Sequence, residues 1–367
     1  MKFEIDRNAL VEPLQFVSGV VERRQTLPVL ANLKITVKNG VLTLVGTDLE
    51  VELSASLKTI TNASDGAVTI PARKFMEICR SFPGNTPLVC SLEGERMSIV
   101  SGRFKSHLAT LPTTEFPIID MDPAQVEVSL SPQSLKRLLD KTSFAMAQQD
   151  VRYFFNGMLI ELSADQLTAV ATNGQRLAAN RLACTYAVDE KRQFIVPRKG
   201  IVELMRMVKD DERELVLQFS KNHLRVESSH LCLVTQLIDA TYPEYERAMP
   251  VGGNIVLRAN RREIKDALTR TSILTNETYR NIRLELTPGN LGVYANNPLQ
   301  EEAEENVPVA YDGAKLEIGF NVDYLIDALS AMDSDKVQMT LIDGNSAMLL
   351  TESNECQSRF VVSPMIL

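Results

Sequence analysis

Read along its apolar and polar positions, the chain writes one pattern three times. Leu33, Ile35 and Val37 alternate with other residues; so do Met158, Ile160 and Leu162, and then Ile282, Leu284 and Leu286. A period of two marks a half-buried strand. Each run meets a turn, at Asn39-Gly40, Ala164-Asp165 or Pro288-Gly289, and a second strand begins near Leu42, Leu167 or Leu291. Glycine in such turns supplies positive φ without steric cost. The second strands end in a polar corner. Thr47-Asp48 stands 125 positions before Thr172-Asn173, and Asn296-Asn297 lies 124 beyond that. Three related hairpins are predicted.

The flanking segments repeat as well. "AVTIPARKFMEICRS", "QFIVPRKGIVELMRM" and "EIGFNVDYLIDALSA" each pass from strand to helix. Phe75 with Ile78 and Cys79, Ile201 with Leu204 and Met205, and Leu325 with Ala328 and Leu329 are spaced i, i+3, i+4, one helix face apiece. Pro71 and Pro197 stand where a first helical turn tolerates proline. A further amphipathic helix precedes every hairpin, in "NALVEPLQFVSGVV", "SPQSLKRLLDKTSFAMA" and "NRREIKDALTRTSIL". Pro13 predicts an irregular opening turn for the first of these. The unit is an α+β domain of antiparallel sheet with its helices on one face. Pro, Gly and Asp interrupt the pattern in "TLPTTEFPIIDMDPAQ" and "LIDATYPEYERAMPVGGN", which sets domains at 1–122, 123–250 and 251–367.

Charge changes the picture once it is sorted by element. The 367 residues carry a formal charge of −8, from 39 basic and 47 acidic side chains, which taken whole argues against nucleic acid. The six helical stretches together sum to +7, which leaves −15 on the rest; only the last, 321–333, is acidic. Basic helices beside acidic sheets describe a two-faced molecule, whose positive side suits phosphates without reading bases. No interleaved basic and aromatic run suggests base stacking.

Catalytic chemistry is hard to find. There is no GxxxxGK[ST], GxGxxG or HExxH, and His107, His223 and His230 have no metal-ligand spacing. "GTDLEVE" at 46–52 reads as an exposed strand face, with metal-assisted hydrolysis through Asp48 and Glu50 as the rival reading. "QEEAEE" at 300–305 reads as a solvated run or as a partner surface for Arg96, Arg103 and Lys105. No cofactor or metal is expected. The cysteines (Cys79, Cys90, Cys184, Cys232, Cys356) are odd in number and form no CxxC, as reduced thiols of a cytoplasmic protein would be. No apolar run approaches a membrane span, and no signal peptide is read at the N-terminus. A protein-binding repeat scaffold that never meets DNA stays open on these grounds.

Three such domains resemble the bacterial sliding clamp family, the beta subunit of DNA polymerase III, over the whole chain. The most specific stretches are "TLPVLANL" (26–33), "QDVRYFFNGML" (149–159), "VPRKG" (196–200), "NNPLQEEAEE" (296–305) and "IGFNVDYL" (318–325). The resemblance implies two chains closing head to tail into a ring, with two helices per domain lining the hole and antiparallel sheets outside. It implies sequence-independent binding of double-stranded DNA, with no catalysis by the chain itself. The implied partners are a clamp loader, the polymerase III catalytic subunit, and other polymerases and repair proteins. By position it assigns DNA contact to Arg24, Arg73, Gln149, Tyr153, Arg198 and Lys199.

The same resemblance implies a homodimer interface and a pocket for short partner peptides. In the interface Arg96, Arg103 and Lys105 would face Glu301, Glu302, Glu304 and Glu305 around Leu108, Ile273 and Leu274. The pocket, between domains 2 and 3, maps to Phe155, Thr172, Gly174, Gln175, Arg176, Leu177, Pro243, Arg247, Asn321, Tyr324, Val362, Pro364 and Met365. Phe155 and Gln175 stand where the resemblance leads one to expect Leu and His. Asn345 replaces a commonly apolar residue, and the chain ends "SPMIL", with Ser363 and Ile366. These departures bear on peptide preference.

Overall fold

A computed structural model describes residues 1–21, 27–183, 190–209, 214–352 and 355–366. They form two compact units, Met1–Leu135 with Lys199–Leu237, and Lys136–Arg198 with Ile238–Leu367. The three hairpins are present, and their cross-strand registers keep the sequence offsets. Lys34 pairs with Val45, Leu159 with Val170, and Arg283 with Tyr294. Asn39 and Gly40 both adopt positive φ (52° and 75°), the conformation a tight hairpin turn demands.

Six α-helices accompany the strands: α1 (Arg7–Val17), α2 (Ala72–Ser81), α3 (Pro132–Thr142), α4 (Arg198–Met207), α5 (Arg261–Thr271) and α6 (Val322–Ser330). Two sequence expectations are corrected here. The opening turn of α1 is regular, with the Asp6 side chain accepting from the Asn8 N–H at 2.8 Å, and Pro13 lies inside the helix. Its ring joins the buried face of Leu10, Leu14 and Val17, and apolar burial offsets the one missing backbone bond. In α4, Met205 is 37% exposed, while Gly200, Glu203, Leu204 and Met207 are buried. The inward face is rotated because Gly200 lies against Thr235, whose Oγ1 is 2.6 Å from where a Cβ on Gly200 would sit.

Each unit holds one eight-stranded antiparallel sheet that runs from one repeat into the next. In the first unit the strand 231–236 of the middle repeat pairs with Val51–Leu57, Leu233 opposite Leu53. In the second, Glu355–Val362 pairs with Arg176–Ala183, Leu177 opposite Val361. The remaining sheets, of five and four strands, each carry at one end a strand with one side unpaired among the described residues, Phe104–Ala109 in the first and Glu302–Pro308 in the second. No helix of the described residues is long and apolar enough to cross a membrane. No group of three His, Cys, Asp or Glu among them could hold a metal ion.

Candidate functional site

The polar corner after each hairpin is built by its own side chains. In the middle repeat Thr172 Oγ1 donates to the Arg176 carbonyl (2.6 Å) and accepts from the Gly174 N–H (3.0 Å). Asn173 Oδ1 accepts from the N–H groups of Gln175 and Arg176, both at 3.0 Å. Thr47 and Asp48 make the same turn in the first repeat, Asp48 Oδ1 accepting from Glu50 and Val51. This is an Asx turn, a side chain standing in for backbone. Asp48 is thereby turned inward, its side chain 4% exposed and ion-paired with Lys199. The expectation of an exposed acidic face at 46–52 is corrected at that residue. Glu52 is drawn in as well; its carboxylate accepts from the Ile119 N–H (3.1 Å), and burial raises its pKa.

Around the middle corner the second unit assembles most of the pocket residues. Arg176 ion-pairs with Asp327 of α6 and donates to the Phe144 carbonyl, and its guanidinium lies 4.5 Å from the Tyr324 ring centre and 5.3 Å from that of Phe144. Asn321 caps α6, accepting from Asp323 and Tyr324, which fixes the helix start from which Tyr324 projects. The Tyr324 hydroxyl donates to Gln175 Oε1 (3.0 Å) and accepts from Asn173 (3.3 Å). The tail is tied on both sides: the Ser363 N–H donates to the Gln175 carbonyl and the Met365 N–H to the Gly319 carbonyl, each at 2.8 Å.

Strand alternation splits the predicted wall between two faces. Leu177, opposite Val361, belongs to a cluster with Phe155, Tyr242, Tyr245 and Met249. Val362 pairs with Arg176 and so turns to the other face, and Val361 is the valine that shares the cluster with Leu177. Pro243 and Arg247 are exposed nearby in sequence to Tyr242, with Arg247 paired to Glu244, while Pro364 and Met365 are half-buried. Asn345 is exposed in a turn whose N–H bonds Asp343. Tyr242, Val361, Phe144 and Asp327, which the sequence reading does not assign, pack or pair with these residues. The sequence signal for Tyr242 is its apolar ring beside Pro243.

The candidate DNA residues fall into different settings. Gln149 (φ 55°) and Tyr153 (56% exposed) stand on the loop 146–156 of the second unit, and Arg198 donates to the Met146 carbonyl at the start of that loop, at 3.4 Å. The loop is braced by Arg152, whose charge and hydrogen bonds hold the Asp150 carboxyl down at about 2. In the first unit Arg73 is exposed on α2 with Glu77 beside it (2.8 Å), and Lys199 is held by Asp48. Arg24 lies outside the described residues. In that unit α1, α2 and α4 line one cavity of about 800 Å³ and so stand on the same side; there Arg206 pairs with Glu203, Lys209 with Glu12, and Arg80 with Gln15.

The interface candidates lie on the edge strands Phe104–Ala109 and Glu302–Pro308 and on the turns and strands beside them. Arg96, Arg103 and Lys105 are exposed, Leu108 is 7% exposed and packs inward, and Ile273 is 77% exposed with Leu274 half-buried. Glu301, Glu302 and Glu304 are exposed; Glu305 is bound by Arg270 of its own chain, which lowers its pKa.

A threefold α+β repeat with two internal strand junctions defines a clamp-type protein. The chain belongs to the DNA polymerase III beta subunit family, matching its N-terminal domain over residues 1–120, its central domain over 129–244 and its C-terminal domain over 246–366. It is 45% identical to the beta sliding clamp of Pseudomonas putida and 42% identical to that of Escherichia coli K12, each alignment covering 100% of both chains. A crystal structure of the DNA polymerase sliding clamp from Pseudomonas aeruginosa with ligand superposes with a TM-score of 0.97 at 44% identity, again over 100% of both chains. The family makes this a DNA sliding clamp, a processivity factor and not a catalytic subunit.

Proposed function

We propose that two copies close head to tail around duplex DNA and tether the replicative polymerase. The observation that carries this reading is the strand junction that the chain already makes twice. Each junction joins the strand after a polar corner to a strand from the following repeat. The corresponding strands that make no such junction within the chain are Glu302–Pro308, which follows the third corner, and Phe104–Ala109, the counterpart of 231–236. They are complementary halves of a third junction, and a heterologous contact of this kind closes a ring when the rotation permits. In the first junction Cys232 stands opposite Ser54 and Val234 opposite Glu52. The same register puts Lys105 opposite Glu304 of a second copy, opposite charges at directly facing positions, and His107 opposite Glu302. The acidic edge and the basic edge favour joining each other over joining themselves.

Held by topology, such a ring needs only weak, exchangeable phosphate contacts, from Arg24, Arg73, Gln149, Tyr153, Arg198 and Lys199. The corner of the middle repeat, with Leu177, Val361, Tyr324 and Met365, takes short peptides of the polymerase and other DNA-processing proteins. Its chemistry suits them: an apolar floor with few placed donors, and a methionine that adapts. A clamp loader opens the ring in the cytoplasm. The test uses a nicked circular plasmid, the matching loader and ATP. Protein isolated on the circles should leave them when the DNA is cut once. Protein retained on the linear product, with the same loader active on a known clamp, would refute encirclement.

A further inference from the structure

The residues around the peptide pocket form a closed circuit of hydrogen bonds. The corner holds the tail through the Gln175 carbonyl and Ser363 N–H, and the tail holds the strand before α6 through Met365 N–H and the Gly319 carbonyl. The start of α6 returns to the corner through the Tyr324 hydroxyl and Gln175 Oε1 at 3.0 Å. The first two links are backbone bonds at the end of a sheet. The third joins the side chains of an exposed glutamine and a half-buried tyrosine, and it can open by rotating χ angles alone. Beside the circuit Leu177 and Val361 are only 4% and 3% exposed, packed in one cluster with Phe155, Tyr242, Tyr245 and Met249, so a side chain entering there has to displace its surroundings.

We propose that the Gln175–Tyr324 hydrogen bond is a latch that keeps this pocket closed and sets how readily a partner peptide enters. The proposal rests on the peptide-pocket reading above. Arg176, stacked 4.5 Å from the tyrosine ring and anchored by Asp327, holds the ring in place when the hydroxyl lets go. Releasing Gln175 therefore costs about one net hydrogen bond, with the longer 3.3 Å bond from Asn173 to the same hydroxyl the weaker part of the latch. A ligand that binds only the open form pays for that fraction in apparent affinity, about 2- to 12-fold for one such bond.

The probe is the tightest-binding member of a set of labelled ten-residue peptides tiled across the polymerase III catalytic subunit of the same organism, measured on the full chain. Gln175→Met removes the acceptor with little change in length, and Tyr324→Phe removes the donor. Each should tighten binding by about 2- to 12-fold through faster association, and the double variant should gain no more than either single one. Unchanged or weaker binding in both single variants, or additive gains in the double, would overturn the latch. Leu177→Asp should abolish binding, and Met365→Ala serves the same purpose if that variant does not fold. Loss of binding there with inert latch variants removes the latch alone. Parent-like binding in both Leu177→Asp and Met365→Ala removes the pocket reading and the latch with it.

Discussion

Arg176 shows how much one side chain can organise. Its guanidinium meets a carboxylate, a backbone carbonyl and two aromatic faces, and none of these partners is close to it in sequence. Fixed in that way, it orients α6 against the corner and leaves the tail as the adjustable wall. Met365 is half-buried there and unbranched, so it can repack around different ligands. Met365→Ala should weaken peptide binding about tenfold, the ~1–2 kcal/mol of an apolar side chain partly buried by the ligand, and leave sedimentation unchanged. Fluorescence anisotropy beside analytical ultracentrifugation checks both halves. The position of Leu177 could be read from its strand alternation. That of Val361 could not, because a one-residue register choice between the tail and its partner strand decides which valine faces the leucine, and two adjacent valines look alike in sequence.

At the level of elements, the two internal junctions differ where α4 and α6 meet them. Gly200 of α4 occupies the place that Tyr324 holds in α6, and Thr235 fills the space a side chain would need. The first junction is closed by packing, while the second presents an aromatic rim. Gly200→Ala puts a methyl 2.6 Å from Thr235 Oγ1, and should cost about 1–3 kcal/mol and lower the melting temperature by several degrees in calorimetry. The edge strands carry a second prediction. Lys105→Glu sets like charges opposite Glu304 of the other copy, at both contacts of a two-chain ring, and should raise the monomer fraction at micromolar concentration. Adding Glu304→Lys should restore the dimer, since a charge swap rescues only residues that face each other. Sedimentation of the single and double variants decides it. The strands and helices themselves were legible from period-two and period-3.6 patterns. The inward face of α4 was not, because a buried glycine and a buried glutamate turn the helix away from its most apolar stripe.

For the molecule as a whole, charge is distributed by element and not by sum. A chain of net charge −8 would be expected to avoid DNA, yet five of its six helical stretches are basic. Several of those cations are already paired with neighbouring carboxylates, as Arg73 is with Glu77 and Arg206 with Glu203, which leaves a weak positive surface. The unloaded protein should therefore bind linear DNA feebly and lose it by about 0.2 M salt, whereas protein loaded on circles should survive higher salt. Retention that fell equally steeply with salt in both cases would exclude a topological link. The threefold repeat, the hairpins with their registers, the corner sequence and the missing catalytic motifs were determined by the sequence alone, because each depends on local periodicity and turn chemistry. The tertiary structure decided the rest: which strand edges pair inside the chain and which stay open, that Asp48 turns inward to Lys199, and that Tyr324 reaches Gln175. Those outcomes depend on contacts between residues as far apart in sequence as Arg176 and Val362, whose geometry only packing fixes.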